Sequence, residues 1–290
     1  MKKTLAILMG VVLAAVLIGA VSWPGRSDTH ADASREAALV TTTNVLSSLV
    51  EEISAGSVGT MTLIPSGNCP GQFDLKPSHL KAISDSGVIF AHGFESYMAN
   101  IEASLSVSDL TVYEFPIEGS WMIPRVQLAL GRRIADAMSE VYPAKREVFE
   151  ANYARFEEGG RQLDRELRQR SANAGLVDVP VICNEHLADQ LRYLGMVPVA
   201  TYGQAEQLRT SVVRRLNEIG EAEGVGLVVD NLQAGATTGK ALARDLGVPH
   251  VTISNFPDGL PRTPTLAASV RVNLDTLIAT YKHSGDDKNN

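Results

Sequence analysis

Short apolar segments alternate with amphipathic segments in two series along the chain, one on each side of a long charged segment. The first series predicts strands at residues 38–41, 60–64, 87–91 and 111–115, with helices at 44–53, 78–84 and 94–104. The second predicts strands at 179–183, 198–201, 226–230 and 250–254, with helices at 185–194, 206–223, 238–246 and 266–282. This alternation is typical of parallel sheets covered by helices. The sequence therefore predicts an α/β protein of two lobes, each with a parallel sheet flanked by helices.

The charged segment at residues 143–171 contains no Gly or Pro after its first residue except Gly159 and Gly160. Apolar residues recur along it at helical spacing and form a narrow stripe. A helix of about 29 residues would be roughly 43 Å long, which is more than one small lobe can cover. Two interpretations stay open, an amphipathic surface helix and a rigid helix that joins two lobes. The second predicts an N-terminal lobe at 36–142, a linking helix at 143–172 and a C-terminal lobe at 173–290.

The amino terminus has the pattern of an export signal. Lys2 and Lys3 precede an apolar run at residues 5–21, which small and turn-forming residues close at 22–25. A basic segment, an apolar segment and a polar boundary are typical of secretory signals. At about 17 residues the run is also marginally long enough to remain as a membrane anchor. Residues 1–35 are therefore predicted to be an export signal or tether, and the protein is predicted to be periplasmic or otherwise extracytoplasmic.

Charge and motifs favour a binding protein over an enzyme or a nucleic-acid binder. The chain carries 33 acidic against 26 basic residues, a formal net charge of −7, whereas phosphate binding depends on clustered Lys and Arg. The segment 235–241 resembles a phosphate-binding loop, but Ala241 stands where that loop needs Ser or Thr. The sequence contains neither a nucleophile elbow nor a His-Glu-x-x-His motif. We expect a monomer without enzymatic activity and without a nucleic-acid partner.

Several segments resemble one family in order along almost the whole chain. They include Lys76-Pro77-Ser78, His92-Gly93-Phe94-Glu95 and Trp121-Met122-Ile123-Pro124, together with segments at 40–53, 63–67, 152–153 and 272–274. These segments resemble the zinc- and manganese-type solute-binding proteins of ABC transporters, the TroA-like proteins of cluster A-I. The resemblance implies a two-lobed protein that captures a divalent metal ion between its lobes. It also implies delivery of that ion to an ABC permease in the membrane.

The chain departs from this family at the positions of the usual metal ligands. The resemblance places the first two, both His in the family, at Gly71 and Gly119. It places the third at Asn184 and the acidic fourth near Ser254 and Asn255. The sequence is therefore identified as a divergent member that lacks the usual His ligands.

A replacement metal site is the first hypothesis for this cleft. Cys69 and Cys183 lie near usual ligand positions, and His92, His186 and Asp230 lie at strand ends or helix starts. Cys and His ligands favour zinc or a copper-like soft ion, whereas carboxylates alone would favour harder ions. The predicted cargo is therefore a divalent metal ion, with zinc favoured. The alternative is that Cys69 and Cys183 form a structural disulfide, which an oxidising compartment would permit, or stay unpaired, and that the cleft holds a different ligand.

A second set of polar residues supports a different ligand for the same cleft. Its members are predicted to lie in loops that line the cleft: Gln72, Glu118, Trp121, Asn184, Asn231 and Asn255. A lining rich in amides suits a polar organic ligand or a metal chelate as well as a bare ion. The other interpretation is that the Asn residues cap helices.

Overall fold

The computed structural model describes residues 38–66, 73–104, 110–204, 209–235 and 237–286. The predicted export signal or tether lies outside these ranges. Within them, no helix combines the length and the apolar character that crossing a membrane requires.

The first four strands form one parallel sheet. They are β1 at Leu39–Thr41, β2 at Thr60–Thr62, β3 at Val88–Ala91 and β4 at Thr111–Glu114. Their order in the sheet is β2-β1-β3-β4, and every neighbouring pair is parallel. The chain moves to one side of β1 and then to the other, so the loops after β1 and β3 begin at a switch in strand order. Such switch points are where open α/β sheets bind ligands.

The next four strands repeat this arrangement. They are β5 at Pro180–Asn184, β6 at Val197–Tyr202, β7 at Leu227–Asn231 and β8 at His250–Ile253. Their order is β6-β5-β7-β8, again with every pair parallel. The predicted fold class, two parallel sheets with flanking helices, is confirmed.

Helices cover both sheets. In the N-terminal half they are α1 at Asn44–Ser54, α2 at Pro77–Ser86, α3 at Met98–Ser104, α4 at Pro124–Val141 and α5 at Arg146–Asn173. In the C-terminal half they are α6 at Ala188–Tyr193, α7 at Thr210–Ala222, α8 at Thr237–Leu246 and α9 at Leu266–Asp286.

Helix α5 is the long helix that the charged segment predicts. A single 3₁₀ turn at Pro143–Lys145 precedes it, and the helix itself has 28 residues. It packs against α1 and α4 from the N-terminal half of the chain and against α9 from the C-terminal half. Its buried Leu163 and Leu167 belong to an apolar core that also includes Val45 and Leu274. Residues 37–290 form one compact unit, so the predicted limits of the two lobes stay a prediction.

Helix α4 is absent from the predicted elements. Its sequence nevertheless carries the signals of a helix, because Pro124 occupies the first turn and Leu130, Ile134 and Met138 repeat every four residues. All three of these apolar side chains are buried. The helix matters to the site, because Trp121 lies directly before it.

A hydrogen bond from Asn152 attaches α5 to α1, and a substitution at this residue tests its contribution to stability. Its Nδ2 donates to the carbonyl oxygen of Ile53 at 2.9 Å, which satisfies an acceptor in the last turn of α1. We expect Asn152→Ala to lower the free energy of unfolding by about 1–3 kcal/mol, because a buried acceptor loses its partner. Arg161→Ala is the control, since that side chain is exposed and pairs with Glu157 on the same helix. Urea titration of both variants measures the difference, and an equal, small effect would contradict this assignment.

Candidate solute-binding site

A pocket of about 580 Å³ lies where loops from the two sheets meet. Each lining residue lies at the carboxyl end of a strand or in the segment that follows it, from β3 and β4 in the first sheet and from β5 to β8 in the second. The lining is Phe94, Gly119, Ser120, Trp121, Glu185, His186, Asp189, Gln204, Asn231, Gln233, Ala234, Asn255 and Phe256. Its volume lies in the range of small-molecule sites, about 300–1,000 Å³.

Aromatic rings form one wall of this pocket. The ring of Phe94 stacks on His92 with 5.1 Å between centroids and 4° between planes, and Trp121 stacks on His92 at 5.3 Å. Trp121 also contacts Phe256 of the second lobe at 5.1 Å. Phe94 is 54% exposed, an unusual position for a Phe, and its ring lines the pocket. The wall therefore combines side chains from both lobes.

Polar side chains form the rest of the lining. Glu185, His186 and Asp189 are exposed; the first two lie in the turn between β5 and α6, and Asp189 lies in the first turn of α6. Asp189 also pairs with Arg192 at 3.0 Å. Among the described residues that line the pocket, none is Lys or Arg. The site therefore presents carboxylates, one imidazole and neutral amides to a solute.

Three hydrogen bonds cross between the lobes beside the pocket. Trp121 Nε1 donates to the carbonyl oxygen of Asn255, and Asn44 Nδ2 donates to that of Pro257. In the opposite direction, Gln233 Nε2 donates to the carbonyl oxygen of Ser66 at 3.2 Å. Each bond uses a side-chain donor and a backbone acceptor, so it holds the position of a loop rather than of another flexible side chain.

The loop after β8 is fixed from within its own lobe by Asn273. This buried side chain accepts from the backbone N–H of Ser254 at 3.1 Å and donates to the carbonyl oxygen of Ser254 at 2.7 Å. The Ser254 hydroxyl in turn contacts both backbone groups of Phe256. The family-like segment around Asn273 therefore positions the pocket wall without lining it.

His92 is a neutral, buried support for the aromatic wall. It is 1% exposed, and its Nε2 lies 2.8 Å from Thr43 Oγ1. Burial lowers the pKa of His92 to about 4, although the carboxylate of Glu95 and the backbone of Phe115 act in the opposite direction. Glu95 itself turns back to accept the backbone N–H groups of His92 and Gly93 at 2.9 and 2.8 Å.

Asp230 and Cys183 lie inside the C-terminal lobe. Asp230 is fully buried, accepts from the Tyr202 hydroxyl and lies 2.7 Å from His250 Nε2. Burial first, and then Asp230, raise the pKa of Tyr202. Cys183 is a buried free thiol of the apolar core, and burial raises its pKa to about 12.

Close packing accounts for the glycine at position 239, in the segment that resembles a phosphate-binding loop. A Cβ at this position would lie 2.4 Å from Asp230 Oδ2 and 2.5 Å from the Tyr202 hydroxyl oxygen. The glycine is therefore required for α8 to pack over the buried Asp230.

The structure describes four of the five predicted metal ligands. His186 lines the pocket, whereas His92, Cys183 and Asp230 are buried in their own lobes, and Cys69 lies outside the described residues. Within the described part of the chain, no three His, Cys, Asp or Glu residues form a group that could hold a metal ion. The predicted five-residue metal site therefore stays a prediction.

The structure describes five of the six predicted cleft residues and places three of them at the pocket. Trp121, Asn231 and Asn255 line the pocket. Asn184 is 1% exposed and accepts from the backbone N–H of His186 at 3.2 Å, as the capping interpretation expects. Glu118 lines a neighbouring pocket instead, and Gln72 lies outside the described residues.

Nine of the thirteen lining residues were not among the predicted site residues. They are Phe94, Gly119, Ser120, Glu185, Asp189, Gln204, Gln233, Ala234 and Phe256. Phe94 and Phe256 each lie three residues after the end of a strand, and this position was the available signal. Asp189 begins the second turn of a helical segment, where sequence alone does not distinguish a pocket residue from a surface residue.

Residues 39–280 match the family described as "ZnuA: Zinc-uptake complex component A periplasmic". The chain belongs to this family. The resemblance to TroA-like solute-binding proteins is thereby confirmed. Among curated proteins, no sequence matches this chain.

Solved structures share the fold. A crystal structure of ZnuA has a TM-score of 0.70 at 16% identity and covers 84% of this chain and 98% of its own. A periplasmic metal binding protein from Candidatus Liberibacter asiaticus has a TM-score of 0.72 at 13% identity, covering 84% and 99%. A zinc-bound ZnuA deletion mutant has a TM-score of 0.70 at 17% identity, covering 84% and 97%.

The lowered pKa of His92 predicts a loss of stability in mild acid. An unfolded His binds a proton near pH 6.5, whereas folded His92 stays neutral to about pH 4. Stability from this residue is therefore complete above about pH 6.5 and is lost as the pH falls toward 4. Because of His92, we expect the free energy of unfolding to fall by about 2 kcal/mol between pH 7 and pH 5.

Urea titrations at the two pH values, on the wild type and on His92→Gln, measure this contribution. The variant retains a side chain that can hydrogen-bond to Thr43, and its stability should depend less steeply on pH. An unchanged pH dependence would contradict the neutral, buried state of His92.

Proposed function

We propose that the protein is the solute-binding component of a metal-type ABC importer. It captures a divalent metal ion in the pocket between its lobes and delivers the ion to a membrane permease. The observation that carries this proposal is the pocket itself, because six strands from both sheets of a ZnuA-family chain direct their following loops toward it. The protein acts outside the cytoplasm, in keeping with the periplasmic description of the family.

His186 is the best-placed metal donor among the described residues. It is exposed to the pocket, with the carboxylates of Glu185 and Asp189 in the same segment. His92, Cys183 and Asp230 would each have to leave a buried environment to reach a shared ion. An imidazole donor favours zinc over manganese. Structural neighbours are described as zinc-bound in one case and Mn-bound in another, so both ions are relevant probes.

A polar organic ligand or a metal chelate is the second candidate cargo for the same scaffold. The pocket volume of about 580 Å³ favours it, because a bare ion needs only a small cage of converging donors. Neutral amides of Asn231 and Asn255 add hydrogen-bonding groups that a bare ion does not need.

Metal binding by the purified full-length chain tests the leading proposal. We expect one equivalent of zinc or manganese to raise the melting temperature, since a ligand at 100 times its dissociation constant stabilises by about 2.7 kcal/mol. His186→Ala should weaken zinc binding at least about tenfold, a loss of about 1.4 kcal/mol. His79→Ala is the matched control, because His79 lies in α2 and its Nδ1 accepts from the backbone of Lys76. Absence of stabilisation by either ion, measured by calorimetry and metal analysis, would contradict a bare-ion cargo.

A further inference from the structure

A second pocket, the helix pocket, lies between α5 and three helices that pack on it. Its lining includes Glu52, Arg155, Phe156, Gly159 and Arg271, and its walls come from the carboxyl end of α1, the start of α4, the middle of α5 and the start of α9. The volume is about 390 Å³, within the range of small-molecule sites. No residue of its lining belongs to the lining of the solute-binding pocket. The helix pocket is therefore a separate cavity, with walls from both halves of the chain.

The two neighbouring glycines of α5 have different surroundings. A Cβ on Gly160 would lie 2.6 Å from Leu128 Cδ2, so the close approach of α4 requires this glycine. A Cβ on Gly159 would meet no atom within 4 Å. Glycine is a poor helix former, and packing gives no reason for it at position 159. What the absent side chain does provide is free space in the wall of the helix pocket.

Apolar side chains lie on either side of this space. Phe156 and Leu163 flank the glycines on one face of α5, because residues three, four and seven apart share a face of a helix. Leu163 is a member of the buried core, and the partly buried Phe156 packs against that core. Ala267 adds a methyl group from α9. This part of the helix pocket suits an aliphatic side chain.

A positioned guanidinium group lies at the helix pocket. Arg155 Nη1 donates to Asn152 Oδ1 at 2.6 Å, and the buried Asn152 in turn donates to the carbonyl oxygen of Ile53 at 2.9 Å. A guanidinium group has five N–H donors, and its planar fork matches a carboxylate. Because the contact with Asn152 uses one donor, Arg155 has donors left for the carboxylate of a ligand.

A carboxyl group and an amide oxygen lie at the same pocket. Glu52 is half-buried, and burial raises its pKa without an opposing contribution from any described Lys or Arg. Gln127 is 2% exposed, and its Nε2 donates to the carbonyl oxygen of Trp121 at 2.9 Å, which leaves its amide oxygen as an acceptor. Charge-assisted hydrogen bonds from an ammonium group would satisfy both acceptors.

The remaining charges at the helix pocket are already paired. Arg271 contacts Glu166 at 2.8 and 3.1 Å. Arg170 contacts Glu166 as well and also pairs with Asp275. Together with one carboxylate and one guanidinium from the lining, the positive and negative groups are equal in number. A ligand with a single charge would leave one of the two unpaired groups without a partner, whereas a zwitterion pairs both.

We propose that the helix pocket binds a free α-amino acid with an aliphatic side chain. The ligand's carboxylate pairs with Arg155, and its ammonium group pairs with Glu52 and the amide oxygen of Gln127. Its side chain lies against Phe156 in the space beside Gly159. This binding activity goes beyond the capture of a metal ion and does not depend on it.

Isothermal titration calorimetry of the full-length protein with L-leucine tests the proposal. Two comparison ligands each lack one charged group: 4-methylpentanoate has no ammonium group, and 3-methylbutylamine has no carboxylate. We expect leucine to bind and each comparison ligand to bind at least about tenfold more weakly. The titrations contain EDTA, so that divalent ions take no part in the result.

Three variants locate the ligand. Glu52→Gln and Arg155→Gln should each weaken leucine binding at least about tenfold, since each removes one charge partner. Gly159→Leu should abolish binding by filling the pocket, while the melting temperature stays the same or rises because Leu is the better helix former. Ala151→Leu is the matched control, at an exposed position of α5 outside the helix pocket, and should leave leucine binding unchanged.

The opposite outcomes would overturn the proposal. Absence of leucine binding at millimolar concentration, or unchanged binding to Gly159→Leu, would exclude the helix pocket as an amino-acid site. Equal binding of either comparison ligand would exclude recognition of a zwitterion. These results leave the proposed function untouched, because the zinc and manganese titrations test metal capture separately.

Discussion

Helix α5 buries Leu163 and Leu167 in an apolar core that contains side chains from both halves of the chain. Because the helix packs on α1, α4 and α9 at once, one large core contains residues of both sheets, and each sheet has a smaller separate core besides. Burial of apolar surface contributes about 25 cal/mol per Å², so separating the halves would be costly. The lobes are therefore held with their strand ends toward each other, and the pocket forms between those ends.

The pocket depends on this constraint, and so do the hydrogen bonds that cross beside it. Trp121, Asn44 and Gln233 each reach a backbone carbonyl of the opposite lobe. Asn273 holds the strand end from which two of those carbonyls follow. The shared core and a continuous helix of 28 residues oppose wide hinge opening between the two sheets.

The fold was largely predictable because short apolar runs and helical stripes repeat locally along the sequence. The site was less predictable because strand residues alternate between faces. Asp230 and Asn231 are neighbours at the end of β7, yet Asp230 is buried beneath Gly239 and only Asn231 reaches the pocket. Phe94 was missed for a related reason, since sequence does not show whether an aromatic residue after a strand enters the core. Which His faces the solute is likewise decided by tertiary packing, as His92 and His186 demonstrate.

Anomalous X-ray diffraction at the zinc edge, from crystals grown with zinc, tests the central claim most directly. The account predicts one strong peak in the pocket, with a His186 nitrogen about 2.0–2.1 Å from the metal. A peak away from the pocket would contradict the site itself, and the absence of any peak from zinc-loaded crystals would contradict metal capture.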